Sequence, residues 1–249
     1  MTEWTALLPS LAGVAVLTAV TTAVLVGFRV PATWTPAVAI VRGAVQLAVI
    51  SVILTGIITS PLWIGVALLV MFAVAASVAT GRLGWSTRTA LMMATAIAAG
   101  VLSAVAIVFA TGALELTSRY ALAIGAIVIG NAMTIATLTG RTFTTRTIDH
   151  WDEVEGWLAL GATGRVATID LARQSVRDAL IPTVDQTKTT GLVVLPGAFV
   201  GAIFGGISPL EAGRFQIVVL AAIMAAGSVT ALIVALWMGD VRVKPNPLN

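Results

Sequence analysis

The chain of 249 residues lacks cysteine altogether, contains a single histidine and a single tyrosine, and has only 10% charged residues. The absence of cysteine excludes disulfides, iron–sulfur clusters and thiolate metal sites, and one histidine excludes cages built from several imidazoles. That histidine, His150, lies in a charged segment far in sequence from any plausible serine partner, and no glycine-rich phosphate-binding loop with a Gly-Lys-Ser/Thr ending occurs. We therefore expect a chain that is not an enzyme and binds no cofactor itself.

Apolar residues dominate the sequence: 58% are hydrophobic and the mean hydropathy is +1.02. A domain of this size still exposes about a quarter of its unfolded surface, so water alone cannot be the solvent of so apolar a chain. The net charge of +3 comes from basic residues scattered over short connections rather than gathered in one patch. This pattern indicates a lipid bilayer as partner and excludes nucleic acid.

Six stretches without Asp, Glu, Lys or Arg are long enough to cross a membrane. One of them, 43–81, is too long for a single crossing, and Ser60-Pro61 near its middle divides it into two helices. The sequence therefore predicts an all-α, polytopic membrane protein with a single transmembrane domain over residues 1–249 and spans at about 7–27, 38–58, 62–80, 91–112, 120–139, 189–208 and 216–238. The first span follows Glu3 and no basic residue, so we expect it to be retained as an anchor.

The basic residues predict the orientation, because short cytoplasmic loops are enriched in Lys and Arg. With the N-terminus outside, only Arg119 and Arg214 lie outside and Arg42 lies within a span. The other eleven of the 14 basic residues are then inside: Arg29, Arg82, Arg88, Arg141, Arg146, Arg165, Arg173, Arg177, Lys188, Arg242 and Lys244. We predict N-out, C-in.

The connection at about 141–187 holds most of the charge, so we expect it to be a cytoplasmic region that meets a partner. It reads as two amphipathic helices, one at about 147–160 and one at about 165–180 that ends before Pro182, separated by the break Gly161-Ala-Thr-Gly164. Such helices lie on a membrane surface or dock on a protein.

Polar side chains within the spans are candidates for a substrate path, because they are costly in hydrocarbon. Arg42 and Gln46 lie one turn apart and can share a groove, although an arginine near a helix end also reaches lipid headgroups. Asn131 and Met133 follow Gly130; they could contact a cation, or provide an interhelical hydrogen bond and packing.

Two further features flank the predicted sixth span. Asp185 and Lys188 are three residues apart, which favours a local ion pair, and Asp185 is the acidic group close enough to a span to attract a cation. Gly197, Gly201 and Gly205 form a stripe of small residues typical of helix packing, beside Pro196, which predicts a kink or break.

Four segments, in this order, resemble the FetB-type iron-export permease family: Arg42-Gly-x-x-Gln46-Leu47, Gly130-Asn-Ala-Met133, Leu158-Ala-Leu-Gly-Ala-Thr163, and the run from Arg177 to Gly197, Arg-Asp-Ala-Leu-Ile-Pro-Thr-Val-Asp-Gln-Thr-Lys-Thr-Thr-Gly-Leu-Val-Val-Leu-Pro-Gly. The resemblance extends from about residue 38 to residue 238. Plant relatives of this family are linked to aluminium tolerance.

The resemblance implies the membrane subunit of an ABC transporter that exports iron, or a related metal or metal complex, from the bacterial plasma membrane. ATP and Mg²⁺ would be held by a separate ATPase subunit, and the permease would form a homodimer. The segment 155–161 resembles the coupling loop of ABC permeases, with Gly156 and Trp157 where two alanines are usual. The implied ATPase contacts are Glu155, Leu158, Gly161, Ala162, Thr163 and Arg165, and the path residues are Arg42, Gln46, Asn131, Met133, Asp185 and Lys188.

Other interpretations stay open from the sequence. An ion-coupled secondary transporter would need no ATPase, but it usually carries acidic residues or histidine near the bilayer midplane, which the predicted spans lack. A membrane scaffold or an ABC permease for a non-metal substrate is a further alternative. The metal ligands are not identified by the sequence.

Overall fold

A computed structural model describes residues 3–57 and 60–247, and the regular elements in these ranges are nine α-helices. They fall into two compact units, with α1 and α2 in the first unit and α3 to α9 in the second. In chain order the helices are α1 Glu3–Gly27, α2 Thr35–Ile57, α3 Pro61–Leu83, α4 Thr87–Ala110, α5 Ser118–Asp149, α6 Trp151–Ala159, α7 Gly164–Thr189, α8 Gly197–Phe204 and α9 Pro209–Met238.

Within the described ranges, six helices are long and apolar enough to cross a membrane, which confirms the all-α class. They are Leu8–Gly27, Thr35–Val52, Pro61–Leu83, Thr87–Ala110, Ser118–Asp149 and Pro209–Met238, and each overlaps one predicted span. The N-out, C-in orientation stays a prediction.

The predicted span at 189–208 is wrong, because these residues do not form one helix. The chain turns at Gly191, whose φ is +89°, and the Gly191 amide donates to the Val194 carbonyl at 2.9 Å. Pro196 then precedes α8, which is only 8 residues long and ends before a second turn at Gly206. A helix of this length extends about 12 Å and cannot cross a bilayer.

The predicted pair of amphipathic helices also differs from the structure. Residues 147–149 end α5, so the first helix of the pair is the shorter α6. The second, α7, does not stop before Pro182 but includes it and continues to Thr189. Proline has a helical φ and removes one hydrogen bond, and packing of α7 against α5 and α9 keeps the helix continuous around that loss.

Small residues hold the second unit together, because they let helix backbones approach closely. Gly100 of α4 lies against the backbone of Ala226 in α9, and Gly227 of α9 lies against Ile135 of α5. Gly125 and Gly140 of α5 face two leucines of α3, Leu68 and Leu83. The main buried cluster joins α3, α4, α5 and α9 through many alanines.

Most buried hydroxyl groups in these helices are hydrogen-bonded, although the buried Thr147 hydroxyl of α5 has no partner. Thr80, Thr139 and Thr144 each donate to the carbonyl four residues earlier, at 2.7–3.0 Å. Thr230 of α9 instead donates across to the Ala96 carbonyl of α4 at 3.2 Å. These four hydroxyls therefore find their acceptors within the helix bundle, as a hydrocarbon environment requires.

We predict that Gly100→Ala destabilises the protein. The added Cβ would lie 2.5 Å from the backbone oxygen of Ala226, so α4 and α9 must separate, at a cost of about 1–3 kcal/mol. Tryptophan fluorescence during heating of the detergent-purified protein measures this as a lower unfolding temperature. Gly65→Ala is the control: its Cβ meets nothing within 4 Å, so it should be neutral or slightly stabilising. Equal unfolding temperatures for the two variants would contradict the close contact.

Candidate functional site

The end of the second unit where α5, α6, α7 and α9 meet forms the candidate site. We call α6, the loop 160–163 and the first turn of α7 the platform. Gly161 ends α6 with φ +89°; its amide donates to Leu158, and the Ala162 amide donates to Trp157, both at 3.0 Å. This is a Schellman ending, in which glycine is favoured because a Cβ is strained at that φ.

The platform is fixed to the end of α9. Thr163 caps α7, with its hydroxyl accepting from the Val166 amide at 3.4 Å. Gly164 lies so close to the Val241 backbone that a Cβ there would overlap it. Thr168, fully buried, donates to the Gly239 carbonyl at 2.8 Å. Two contacts therefore join the first five residues of α7 to the segment that follows α9.

A cavity of about 560 Å³ opens between the platform and this segment, lined by Leu158, Ala162, Thr163, Gly164, Arg165, Asp240 and Arg242. Four of the six residues proposed from the sequence to contact the ATPase are thus brought together: Leu158, Ala162, Thr163 and Arg165. Glu155 and Gly161 do not line it. Sequence reasoning missed Asp240 and Arg242, since nothing in the local pattern after α9 indicates where that segment packs.

The platform also exposes large apolar side chains. Leu160 is 83% exposed, Trp157 54% and Val166 57%, while α6 buries only Val154 among its described side chains. Exposed apolar side chains on one short segment that also carries charged groups are typical of a surface that binds another molecule. The platform therefore has the character of a docking surface.

Arg146 ties α5 to α7 beside the platform. Its two terminal nitrogens donate to Asp178 at 2.5 Å and to Gln174 at 2.7 Å, from one guanidinium group. The Arg146 and Asp178 side chains are 30% and 32% exposed, so the pair is partly shielded from solvent. From the sequence, Arg146 is only one of the basic residues that predict the orientation. Its role in packing could not be predicted, because its partners lie on another helix.

The predicted path residues do not form one site among the described residues. Arg42 and Gln46 are exposed on α2, and no hydrogen bond joins them in the described part of the chain. Asn131 donates to the Ile127 carbonyl of its own helix at 2.8 Å, and Met133 packs against the main cluster. Asp185 and Lys188 form the local ion pair, at 3.4 Å. No group of three or more His, Asp or Glu side chains that could hold a metal occurs within 3–57 and 60–247.

The glycine stripe of α8 does not pack as expected. A Cβ at Gly197 or Gly201 would meet nothing within 4 Å, and one at Gly205 would meet only carbonyls of its own helix. No second helix of this unit therefore lies on the stripe in the part of the chain that the structure describes. The glycines that pack closely are Gly100, Gly125, Gly140, Gly164 and Gly227 instead.

We predict that Asp178→Ala lowers the free energy of unfolding by about 1.5–3 kcal/mol, because it leaves the partly shielded Arg146 without its charged acceptor. Asp170→Ala on the same helix is the matched control; its pair with Arg173 is 78% and 73% exposed and is worth less than about 1 kcal/mol. Thermal unfolding of the two variants in detergent measures the difference. Similar losses for both would argue that the Arg146 contact does not hold α7 in place.

Comparison with known proteins finds relatives over most of the chain. UPF0014 membrane protein STAR2 of Oryza sativa subsp. japonica is 37% identical over 197 residues, 78% of this chain and 69% of the relative. Protein ALUMINUM SENSITIVE 3 of Arabidopsis thaliana is 33% identical over 193 residues, 77% of this chain and 71% of the relative. Probable iron export permease protein FetB of Escherichia coli (strain K12) is 42% identical over 106 residues, 43% of this chain and 41% of the relative. No solved structure matches.

The family comparison covers nearly the whole sequence. Residues 8–241 match the model of the uncharacterised protein family UPF0014, and this range includes every predicted path and platform residue. The resemblance to FetB-type permeases is thereby confirmed, since a protein of that name is among the relatives. With six long apolar helices in the described residues, this chain is a multi-pass membrane protein that belongs to the UPF0014 family.

Proposed function

We propose that this chain is the membrane-spanning permease subunit of an ABC transporter in the bacterial plasma membrane, and that it exports iron or a related metal or metal complex. The single observation that carries the proposal is the platform, which exposes Trp157, Leu160 and Val166 beside a charged cavity. A permease without catalytic groups needs such a surface to bind a separate ATPase, whose conformational change it follows. The name of the bacterial relative, a probable iron export permease, supports the substrate.

The platform suits the transfer of motion from an ATPase. The partner supplies ATP hydrolysis; this chain supplies a rigid contact, since the Gly161 turn, the Thr163 cap and the Thr168 bond fix α6, α7 and α9 to one another. Movement of the platform therefore carries α7 and α9 with it. Two such permease chains, each with one platform, would form a homodimer over two ATPase subunits and alternate between two access states.

We predict that Leu160→Glu uncouples the transporter without unfolding it. Leu160 is 83% exposed, so no packing within the chain is lost, while a carboxylate would stand in the apolar contact with the ATPase. Loss of a central apolar contact in an interface costs about tenfold or more in affinity. The measurement is ATP hydrolysis by the permease and its candidate ATPase in lipid nanodiscs, with and without iron, which is supplied as ferrous ion and as ferric citrate.

Leu116→Glu is the matched control, since Leu116 is 77% exposed in the loop before α5, at the end of that helix opposite α6. It should keep both the complex and the iron-stimulated hydrolysis. A Leu160→Glu protein with full stimulation would remove the platform from the ATPase contact. A stable complex indifferent to iron in both forms would keep the ATPase and reject iron as substrate, and no complex at all would favour an ion-coupled secondary transporter.

A further inference from the structure

The face of α7 turned away from α5 and α9 carries a stripe of charge. Its exposed members are Asp170, Arg173, Arg177, Asp185 and Lys188. The opposite face is made of small and apolar residues that are buried in the second unit: Thr168, Leu171, Ala172, Ser175 and Ala179. The helix is thus polar on one side only, although it packs along the two longest apolar helices of the unit.

The contacts of α7 place its middle at the level of the membrane centre. Leu180 lies against Gly227, and Ala179 clusters with Ile135 and Ala231. Gly227 is the central residue of the charge-free stretch 215–239 of α9. A charge-free stretch of this length centres itself in the hydrocarbon, and the corresponding stretch 120–140 of α5 is centred on Gly130, five residues or about 8 Å from Ile135. The two helices together place Leu180 within about 8 Å of the midplane.

The charged stripe therefore lies inside the hydrocarbon depth. At a rise of about 1.5 Å per residue, Arg177 is about 5 Å from the level of Leu180, and Asp185 and Lys188 are about 8 and 12 Å away on the other side. Arg173 is about 10 Å away. Because Leu180 lies within about 8 Å of the midplane, Arg177, Asp185 and Lys188 fall within the 15 Å half-thickness of a typical bilayer core. By this placement α7, and not residues 189–208, is the sixth crossing.

Lipid cannot cover this face, because exposed charges at such depth face protein or a water-filled cavity. Two of the three cations on the stripe are neutralised locally: Arg173 donates to Asp170 at 3.0 Å and Lys188 to Asp185 at 3.4 Å. Arg177 makes no hydrogen bond or ion pair with any residue of the described chain. One uncompensated guanidinium group of the stripe thus lies within the hydrocarbon depth.

We propose that the charged face of α7 lines a water-filled passage through the membrane and that Arg177 selects an anionic substrate for it, one that presents carboxylate or phosphate groups. This deepens the proposed permease function, on which it rests: the exported metal travels as a negatively charged complex. A guanidinium group binds carboxylate and phosphate oxygens in pairs. A bare divalent cation would meet unfavourable charge at the same point, because the nearby carboxylates are already paired.

Because the chain has no cysteine, single cysteines test the passage directly in the full-length protein. Ile181, one turn from Arg177 and 44% exposed, is the test position; Val184, also on this face, is a second one if the first variant fails to fold. Leu102 of α4 is the lipid-facing control, since its side chain is 66% exposed. Its depth is comparable to that of the test positions, because it lies two residues from Gly100, which contacts Ala226, the neighbour of Gly227.

Intact membranes are treated with two impermeant thiol reagents of similar size, the anionic sulfonatoethyl and the cationic trimethylammonioethyl methanethiosulfonates. We expect a cysteine at 181 to react and a cysteine at 102 to stay unmodified. For each cysteine we compare the rate of reaction with the anionic reagent to the rate with the cationic reagent. This ratio should be roughly threefold or more higher at 181 than at a loop cysteine at 116, as expected for one positive charge nearby. Arg177→Gln should return the ratio at 181 to the loop value.

Three outcomes would overturn the proposal. An unreactive cysteine at both 181 and 184 would mean that protein covers the stripe, and equal reaction at 102 would mean that the labelling does not report a passage. A ratio that is not raised at 181, or that does not respond to Arg177→Gln, would reject the anionic substrate. These measurements need no ATPase, so they can fail while the Leu160→Glu experiment succeeds, and the reverse also holds.

Discussion

Close approach of helix backbones is the interaction on which the second unit depends. Apolar side chains gain little by leaving lipid for protein, so dispersion contacts between tightly fitted surfaces must hold the helices together. Gly100 against Ala226 and Gly227 against Ile135 provide this fit at the centre of the unit. The same fit accommodates α7, whose buried face is formed largely by Thr, Ser and Ala. A helix with many charges is thereby held beside two apolar ones.

Long apolar runs could be recognised from the sequence because hydrophobicity over some 20 residues is a local property. The packing of α7 along α5 and α9 could not be recognised for the opposite reason: its exposed charges lower its hydropathy, and its position follows only from contacts of Leu180 and Ala179 with residues far along the chain. The small residues every three or four positions on its buried face were the available signal. For residues 189–208 the apolar composition led to the wrong prediction of a span, since Gly191 and Pro196 prevent one continuous helix.

The platform was easier to foresee than the path. Gly161, Thr163 and Gly164 form a local ending and cap that a short stretch of sequence specifies by itself. Asp240 and Arg242 join this site through tertiary packing, and Arg146 finds its acceptors more than 25 residues away, at separations of 28 and 32 residues. Polar residues within apolar spans were reasonable path candidates, yet the Asn131 amide donates to the Ile127 carbonyl of its own helix. The sequence shows which residues are polar, and only the fold shows which remain unsatisfied.

The hydrogen bond from the Thr168 hydroxyl to the Gly239 carbonyl connects the platform to the end of α9, so that movement of the platform can tilt the whole helix. α9 has 30 residues, a rod of about 45 Å, and Gly100 of α4 lies against its backbone at Ala226, near its middle. A rod held at its middle and pushed at one end moves in opposite directions at its two ends. Displacement of the platform toward α4 would therefore swing the Pro209 end away from it, narrowing one mouth of the bundle while widening the other.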